Sequence, residues 1–289
     1  MRRGGLAAIA AVGATLAVLL GMAVLTGGCG IRTGPTQELT ISEPLGGAAV
    51  TDVQVIMGAG KLSMSPGATG LASGLIRYNV GSWKPTVERT DSRLEIKQGK
   101  QTGLRGLGGD IVNDWQLQLG DSPMRLSVSA GAYEGNYDLS GLLLQALTIK
   151  DGAAKTQVMF NSPNPGQMER LSYETGASTV TMTGLANANF KTMDFQGGAG
   201  SYTLNFSGQL RSDATVRAKA GVGTVRIVVP AATAARVSVE GALNDVSAEG
   251  AWTVSGKTYS TAAAGGGAQT KVLTIAVEMS VGSLKLVTQ

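Results

Sequence analysis

The segment Met193–Leu204, MDFQGGAGSYTL, decides how the fold of this chain is interpreted. Its GGAG core at Gly197–Gly200 fits two structures: a glycine-rich loop that cradles a phosphate, or a bend between two strands. On both sides of the glycines, apolar residues alternate with polar ones, which is typical of strands with one buried face. The segment therefore favours strand, bend, strand, with its apolar side chains pointing into a common core: Met193, Phe195, Tyr202, Leu204 and the following Phe206.

Six other segments show the same pattern when they are aligned on Gly198. They begin at Val53, Leu126, Leu147, Leu171, Val216 and Ile275. In all of them the residue five places before the aligned position is apolar, and the residue five places after it is polar. From Gly131 to Gly221 the aligned glycines follow one another at intervals of 21, 24, 22 and 23 residues. The chain thus contains a repeat of about 22 residues.

A unit of this size cannot bury its own apolar face, so successive units must stack. The sequence therefore predicts an all-β fold, a single-stranded β-solenoid in which the bend glycines permit positive φ and close stacking. Stacking brings equivalent outward positions together. We therefore expect lateral pairs between Asp194 and Arg217 and between Lys150 and Glu174.

Residues 1–28 have the layout of a secretory signal: two early arginines, an uncharged apolar run to Leu25, and small residues before Cys29. The stretch Leu25–Cys29, LTGGC, resembles the lipobox of bacterial lipoproteins, in which the cysteine is lipidated and becomes the new N-terminus. Its leucine stands four residues before the cysteine instead of the commoner three. An uncleaved apolar anchor, or an unmodified Cys29 that packs as a small hydrophobe, are the alternatives. Both anchored versions place the remaining chain outside the cytoplasm, held at the membrane.

Four regions follow from these patterns: a lipoprotein signal peptide (1–28), a tether (29–48), an N-terminal region with irregular turns (49–125) and the β-solenoid repeats (126–289). The tether prediction rests on the lack of a core pattern after Cys29. Two glycine-rich stretches, 103–109 and 262–267, are predicted loops, and the second belongs to an irregular stretch between Val246 and Lys271.

Charge and cysteine content exclude several classes of protein. Without Arg2 and Arg3 the chain has 22 basic and 20 acidic residues, a formal charge of +2. No basic cluster is interleaved with aromatics, so a nucleic-acid partner is not expected. Cys29 is the only cysteine, and an exported chain must then fold without intrachain disulfides.

Catalysis has little support in the sequence. The chain has no histidine, which removes histidine-based triads and most zinc sites, so neither a metal nor a cofactor is predicted. Ala251–Thr258 spells a Walker A motif but lacks the following helix that a P-loop requires, so no nucleotide is expected. What remains is carboxylate chemistry, as in β-helix enzymes that cut polysaccharides. The candidates by residue type are Asp114, Asp121, Asp151, Glu174, Asp194 and Asp213, most of them predicted at turns or outward positions.

Rows of hydroxyl residues could instead present a flat surface to a polysaccharide. Thr148 with Ser172, and Thr181 with Thr203, occupy equivalent outward positions in successive units. The alternative is an ordinary solvated sheet face, which the composition favours. The three tryptophans are predicted to pack or cap the stack: Trp83, Trp115 and Trp252.

The succession of segments resembles the toast-rack family of bacterial exported proteins. The resemblance rests on GAGKLSM (58–64), LIRYNVGSWKPTVE (75–88), NDWQLQLGDSPMRLSVSAGA (113–132) and YDLSGLLLQALTIKDGAA (137–154). It implies a right-handed β-solenoid without known catalytic residues. Related domains cap membrane proteins implicated in cell-wall stress sensing, and the later repeats also resemble adhesin domains.

The expected function is therefore that of a membrane-anchored exported lipoprotein, lipidated at Cys29, with a non-catalytic, adhesin-like binding or scaffold module. Its partner would be an envelope protein or a glycan. An accessory of envelope stress sensing and a polysaccharide-active enzyme are the two alternatives.

Overall fold

The structure is a computed structural model that describes residues 33–100, 110–265 and 270–289. The signal peptide, Cys29 and the loop at 103–109 lie outside the described residues. Within these ranges the chain forms strands and three short 3₁₀ helices, at Gly81–Trp83, Leu185–Ala188 and Ala262–Gly265. The strands are β1 (Thr33–Glu43), β2 (Thr51–Pro66), β3 (Ala72–Val80), β4 (Thr86–Arg89), β5 (Arg93–Lys97), β6 (Asn113–Leu119), β7 (Met124–Asp138), β8 (Leu144–Met159), β9 (Met168–Thr183), β10 (Phe190–Asn205), β11 (Ala214–Val229), β12 (Ala234–Glu249), β13 (Trp252–Ser255), β14 (Thr258–Thr261) and β15 (Val272–Thr288). The all-β prediction is confirmed.

Eight long strands stack in parallel to form the body of the molecule. Their order is β2, β7, β8, β9, β10, β11, β15 and β12. The order follows the chain from β7 to β11, but β15 then inserts between β11 and β12. The stack therefore does not end with the last strand of the sequence.

The pairing register of the stack brings the aligned segments together. Met193 lies opposite Leu171 on one side and Val216 on the other. Val216 in turn lies opposite Ile275. The inward side chains of β10 and the residue after it, predicted from GGAG outward, are at most 1% exposed: Met193, Phe195, Tyr202, Leu204 and Phe206. They belong to one hydrophobic core that runs from Ile41 to Leu286.

The bend glycines are required for close stacking, and the expectation of positive φ at the aligned glycine is wrong. A Cβ at Gly198 would lie 2.5 Å from the carbonyl oxygen of Gly176, and one at Gly176 would lie 2.5 Å from that of Gly152. Neither residue has a positive φ. Positive φ belongs instead to glycines two places later, such as Gly223 (138°) and Gly282 (141°). The aligned glycine thus serves close approach, and the later one serves the turn of the backbone.

The N-terminal end of the stack has a different construction. The first half of β2 pairs in parallel with β5, and its second half pairs in parallel with β6. β3 then pairs antiparallel with β6, and β1 antiparallel with β3. The prediction of a structureless tether over 29–48 is therefore wrong for Thr33–Glu43, which form β1. The sequence hid this strand because most of its residues are exposed.

The regions predicted as 49–125 and 126–289 share one sheet. β7 begins at Met124 and pairs along its length with β2. At the other end of the stack, β12 fills a layer that the repeat search missed. Ala242 stands at the aligned position, where the Ile275 segment carries Ser280 and the other six segments carry glycine, and Val237 of this strand lies opposite Ile275. The irregular stretch after it contains the β13–β14 hairpin.

Candidate functional site

The polar cluster around Asp151 is the densest group of chemistry-bearing side chains in the described residues. Asp151 lies directly before the bend glycine of β8, and its carboxylate faces inward between β7 and β9. The hydroxyl of Tyr173 donates to it at 2.7 Å and that of Tyr133 at 3.3 Å. The hydroxyl of Thr175 donates to it as well. Asp151 therefore differs from the outward or turn position that the sequence predicts for most of the candidate carboxylates.

A chain of hydroxyl groups extends the cluster along the inner corner of the stack. Tyr137 donates to the Tyr133 hydroxyl at 2.9 Å, and Thr156 donates to it at 3.3 Å. Ser178 accepts the backbone N–H of Ala154 at 2.9 Å. Because a buried polar group is costly without partners, this network is what allows polar side chains inside an apolar core.

The tyrosines of the cluster have raised pKa values. Burial raises the pKa of Tyr133 to about 12, although hydrogen bonds from Thr156 and Tyr137 work in the opposite direction. Burial, together with the neighbouring Tyr133, raises the pKa of Tyr137 and Tyr173 as well. The three hydroxyls are thus held in the protonated form that donates hydrogen bonds. Proton abstraction would require a readily ionised group, which these tyrosines are not.

The other candidate carboxylates are dispersed over the surface. Asp194 pairs with Arg170 at 2.8 Å and Arg217 at 3.7 Å. Glu174 pairs with Lys150 at 3.0 Å. Both predicted lateral pairs, Asp194 with Arg217 and Lys150 with Glu174, are thereby confirmed.

The three remaining candidate carboxylates have different environments. Asp114 accepts from the Gln116 side chain at 3.2 Å, Asp213 accepts the backbone N–H of Val272 at 2.9 Å, and Asp121 is exposed in a turn. Asp151 and Glu174 do line one surface cavity of about 330 Å³. Hydroxyl groups donate hydrogen bonds to the Asp151 carboxylate, and Lys150 forms an ion pair with the Glu174 carboxylate.

A larger cavity lies beside the N-terminal layer. It has a volume of about 750 Å³ and is lined by Trp83, Asn113, Lys61 and Tyr133, among others. Asn113 donates to the Gln98 side chain at 3.0 Å and accepts from the indole N–H of Trp115 at 2.8 Å. Gln98 accepts the backbone N–H of Gly58 at 2.8 Å, so a side chain caps the bend where the regular stack ends.

The tryptophans and the Walker A spelling have structural roles. Trp83 and Trp115 are at most 2% exposed, and Trp252 packs edge-on against Tyr259 with ring centroids 6.5 Å apart. The prediction that they pack is confirmed. Ala251–Thr258 forms β13, a turn with Gly256 at φ 59°, and the start of β14. A hairpin of this kind offers no helix N-terminus for a phosphate.

The described residues contain neither a cluster of metal ligands nor a membrane-spanning helix. In residues 33–100, 110–265 and 270–289, no three His, Cys, Asp or Glu side chains lie close enough together to hold a metal ion. Over the same ranges, no helix has the length and apolar character needed to cross a membrane.

Sequence reasoning found Asp151 but missed its partners. Tyr133 and Ser178 follow the bend, where the inward positions change from one parity to the other, and Thr175 is a polar residue at an inward position just before the bend. The signal that could have found them is the alignment itself, since Thr175 occupies the same position as Asp151 in the next unit.

Comparison with known proteins places this architecture in a family. Residues 32–169 match the family model described as the N-terminal domain of toast_rack, DUF2154. A comparison with curated proteins finds no match.

Among solved structures, a "putative cell adhesion protein" from Clostridium sporogenes is similar over 88% of this chain and 100% of its own, with 21% identity and a TM-score of 0.49. A "putative adhesin" from Parabacteroides merdae is similar over 89% and 97%, with 9% identity and a TM-score of 0.36. A "putative lipid binding protein" from Parabacteroides distasonis is similar over 89% and 97%, with 11% identity and a TM-score of 0.32.

The matched domain covers β1 to the start of β9, and it contains the N-terminal layer, the Gln98 cap and the Asp151 carboxylate. The segments on which the family resemblance rests lie within it. The chain therefore contains the N-terminal domain of the toast-rack family.

Proposed function

We propose that this protein is an exported lipoprotein, held at the outer face of the cell membrane by a lipid on Cys29, that displays a right-handed β-solenoid as a non-catalytic, adhesin-like binding module. The lipobox-like stretch before Cys29 and the toast-rack assignment support the anchor and the exported location. The parallel stack of bent strands supports the solenoid.

The non-catalytic role follows from how the carboxylates are used. Asp151 is held by hydroxyl donors and Glu174 by Lys150. A glycosidase needs one free acid and one free base or nucleophile on either side of the bond that it cuts. The larger cavity is also lined by two carboxylates, and these have partners too: Glu134 pairs with Lys61, and Asp114 accepts from Gln116.

The observation that carries the binding function is a row of hydroxyl side chains on the outward face of the second arm, the part of each long strand that follows the bend. Pairing places Thr179 beside Ser201, Ser201 beside Thr224, and Thr224 beside Ser283. Thr181 and Thr203 form a parallel row two residues further along. Adjacent members of a row are about 4.8 Å apart, the spacing of paired strands.

Such a surface suits a polysaccharide. Each hydroxyl both donates and accepts a hydrogen bond, as sugar hydroxyls do. A regular array also allows one polymer to make many weak contacts at once, which raises the overall avidity. We therefore propose an envelope glycan as the ligand of this hydroxyl face.

Retention of the full chain on insoluble peptidoglycan, with cellulose as the control polymer, tests the ligand. Changing Ser201→Lys together with Thr224→Lys should abolish retention, because two long charged side chains break the flat row. Thr215→Lys with Thr274→Lys alters a neighbouring pair of exposed hydroxyls on the first arm and should leave retention intact. No retention of the unaltered protein, or equal loss in both variants, would refute the glycan assignment.

The anchor has its own experiment. Labelled palmitate should be incorporated into the unaltered chain and not into Cys29→Ser, since this is the only thiol in the sequence. Intact-mass measurement should show loss of residues 1–28. An unlabelled chain of full mass would show that the apolar segment stays in place as the anchor.

A further inference from the structure

The point at which the chain leaves its proposed anchor is fixed closely by β1. Thr33 follows Cys29 by four positions in the sequence, a span of at most roughly 14 Å in extended backbone. Thr33 lies opposite Val80, the last residue of β3. The chain runs from Val80 through the Gly81–Trp83 turn directly into Lys84. Lys84 and its neighbours therefore lie beside the place where the protein leaves the membrane.

Two further lysines converge on the same place. Lys97 lies opposite Thr86 at the open end of the β4–β5 hairpin. Thr86 is only two residues after Lys84, so Lys97 and Lys84 are neighbours. The backbone N–H of Gly99 donates to the carbonyl oxygen of Trp83 at 3.3 Å, which brings Lys100 next to this turn. All three side chains are exposed. We call Lys84, Lys97 and Lys100 the basal lysines.

The basal lysines differ from most lysines of the stack in having no carboxylate partner among the described ion pairs. Five other lysines pair with a glutamate on a neighbouring strand: Lys61, Lys150, Lys191, Lys219 and Lys285. The β4–β5 hairpin contains three acidic residues, all nearer to its closed end than Lys97: Glu88, Asp91 and Glu95. Glu95 forms an ion pair with Arg93. The exposed Asp110, whose carbonyl oxygen accepts from Asn79, is the acid of the adjoining segment.

We propose that the basal lysines bind the phosphate groups of anionic phospholipids, so that the N-terminal end of the stack rests on the membrane and the successive layers stack away from it. This inference rests on the proposed lipidation of Cys29, which brings these side chains to the headgroups. An ammonium group binds a phosphate as a point charge, and each lysine near an anionic membrane contributes independently. The orientation leaves the hydroxyl face free for a glycan.

Membrane contact can be measured on the lipidated full chain reconstituted into vesicles. Ser82→Cys introduces one reactive thiol beside Lys84, and Ser255→Cys introduces one on β13 at the other end of the stack. Each is labelled with a fluorophore, and quenching by a headgroup nitroxide lipid is recorded. Vesicles contain phosphatidylcholine alone or mixed with phosphatidylglycerol.

Quenching at Ser82→Cys should increase when phosphatidylglycerol is present and fall with added salt, while Ser255→Cys should stay unquenched. The triple variant Lys84→Gln, Lys97→Gln and Lys100→Gln removes the charge of the basal lysines. It should lower the ratio of membrane-docked to undocked protein by roughly fivefold per lysine. The matched control, Lys150→Gln with Lys219→Gln and Lys285→Gln, removes the same charge elsewhere and should change nothing. Circular dichroism confirms that both variants remain folded.

Two results separate the failure of this inference from that of the anchor. A Cys29 that still reacts with a thiol reagent, or a mass without the lipid, would refute the lipidation on which the inference depends. A lipidated chain whose quenching ignores phosphatidylglycerol, or falls equally in both triple variants, would refute the role of the basal lysines while leaving the lipidated anchor in place.

Discussion

The hydroxyl of Tyr173 donates a hydrogen bond of 2.7 Å to the carboxylate of Asp151 across two adjacent strands of the stack. The two residues are 22 positions apart in the sequence, and both face the core side of the bend. The contact joins successive layers through a polar bond inside a mostly apolar interior. It identifies the inner corner of β7–β9 as the place where single substitutions should have large effects.

Removal of the Asp151 carboxylate should destabilise the fold. Asp151→Ala leaves the Tyr133, Tyr173 and Thr175 hydroxyls without their acceptor, and we expect a loss of about 1–3 kcal/mol in the free energy of unfolding. Urea titration followed by circular dichroism measures this loss. Glu174→Gln, one strand away and in an exposed ion pair, should cost less than about 1 kcal/mol. Equal effects of the two changes would contradict a structural role for the cluster.

The raised tyrosine pKa values predict a loss of stability at high pH. The unfolded tyrosine ionises near pH 10, whereas Tyr133 in the folded protein has a pKa of about 12. The unfolded state therefore loses the proton first. The stabilisation is complete below about pH 10 and is lost as the pH rises through about pH 12.

Urea titrations at several values from about pH 8 to about pH 11 test this dependence. Tyr133→Phe should make the decline less steep, because one of the three tyrosines with a raised pKa is gone. Tyr259→Phe, which packs against Trp252 outside the cluster, should keep the slope of the unaltered protein. A slope that is unchanged in Tyr133→Phe would argue against this residue as its source.

A methyl group at the bend should not be tolerated within the stack. Gly198→Ala places a Cβ 2.5 Å from the Gly176 carbonyl oxygen, and we expect a cost of about 1–3 kcal/mol as the layers are forced apart. Thermal unfolding followed by circular dichroism gives the change. Gly47→Ala, where a Cβ meets no atom within 4 Å, is the control and should be close to neutral. A neutral Gly198→Ala would mean that the backbone can relax along the stack.

Removal of the Gln98 side chain should destabilise the fold about as much as the loss of a contact between two layers of the stack. Gln98→Ala removes the acceptor for the Gly58 N–H and for the Asn113 side chain, both in the interior of the N-terminal layer. We expect about 1–3 kcal/mol of destabilisation. Hydrogen exchange at Gly58 should become faster in this variant, and exchange at Gly198 should not change. Protection of Gly58 that survives the substitution would show that another group satisfies this N–H.

Much of the fold could be predicted because seven segments of the sequence share the same pattern of apolar and polar residues. Apolar residues at fixed offsets from the bend specify which side of each strand is buried, and equivalent outward residues specify the lateral pairs such as Lys150 with Glu174. The prediction missed β12, where Ala242 replaces the bend glycine although the strand still pairs, and it missed β1 because an exposed edge strand carries little apolar signal.

The sequence by itself determined the alternation, the bend positions and the chemical classes that the chain lacks, since these depend on residue type and local spacing. Only the tertiary structure decided that β15 inserts between β11 and β12, because strand order depends on which edges are free once the stack has formed. It also decided what surrounds the carboxylate of Asp151, because the hydroxyl donors come from two other strands, β7 and β9. The glycine of GGAG at position 198 belongs to both: its identity is written in the sequence, but the carbonyl oxygen that requires it comes from the layer before.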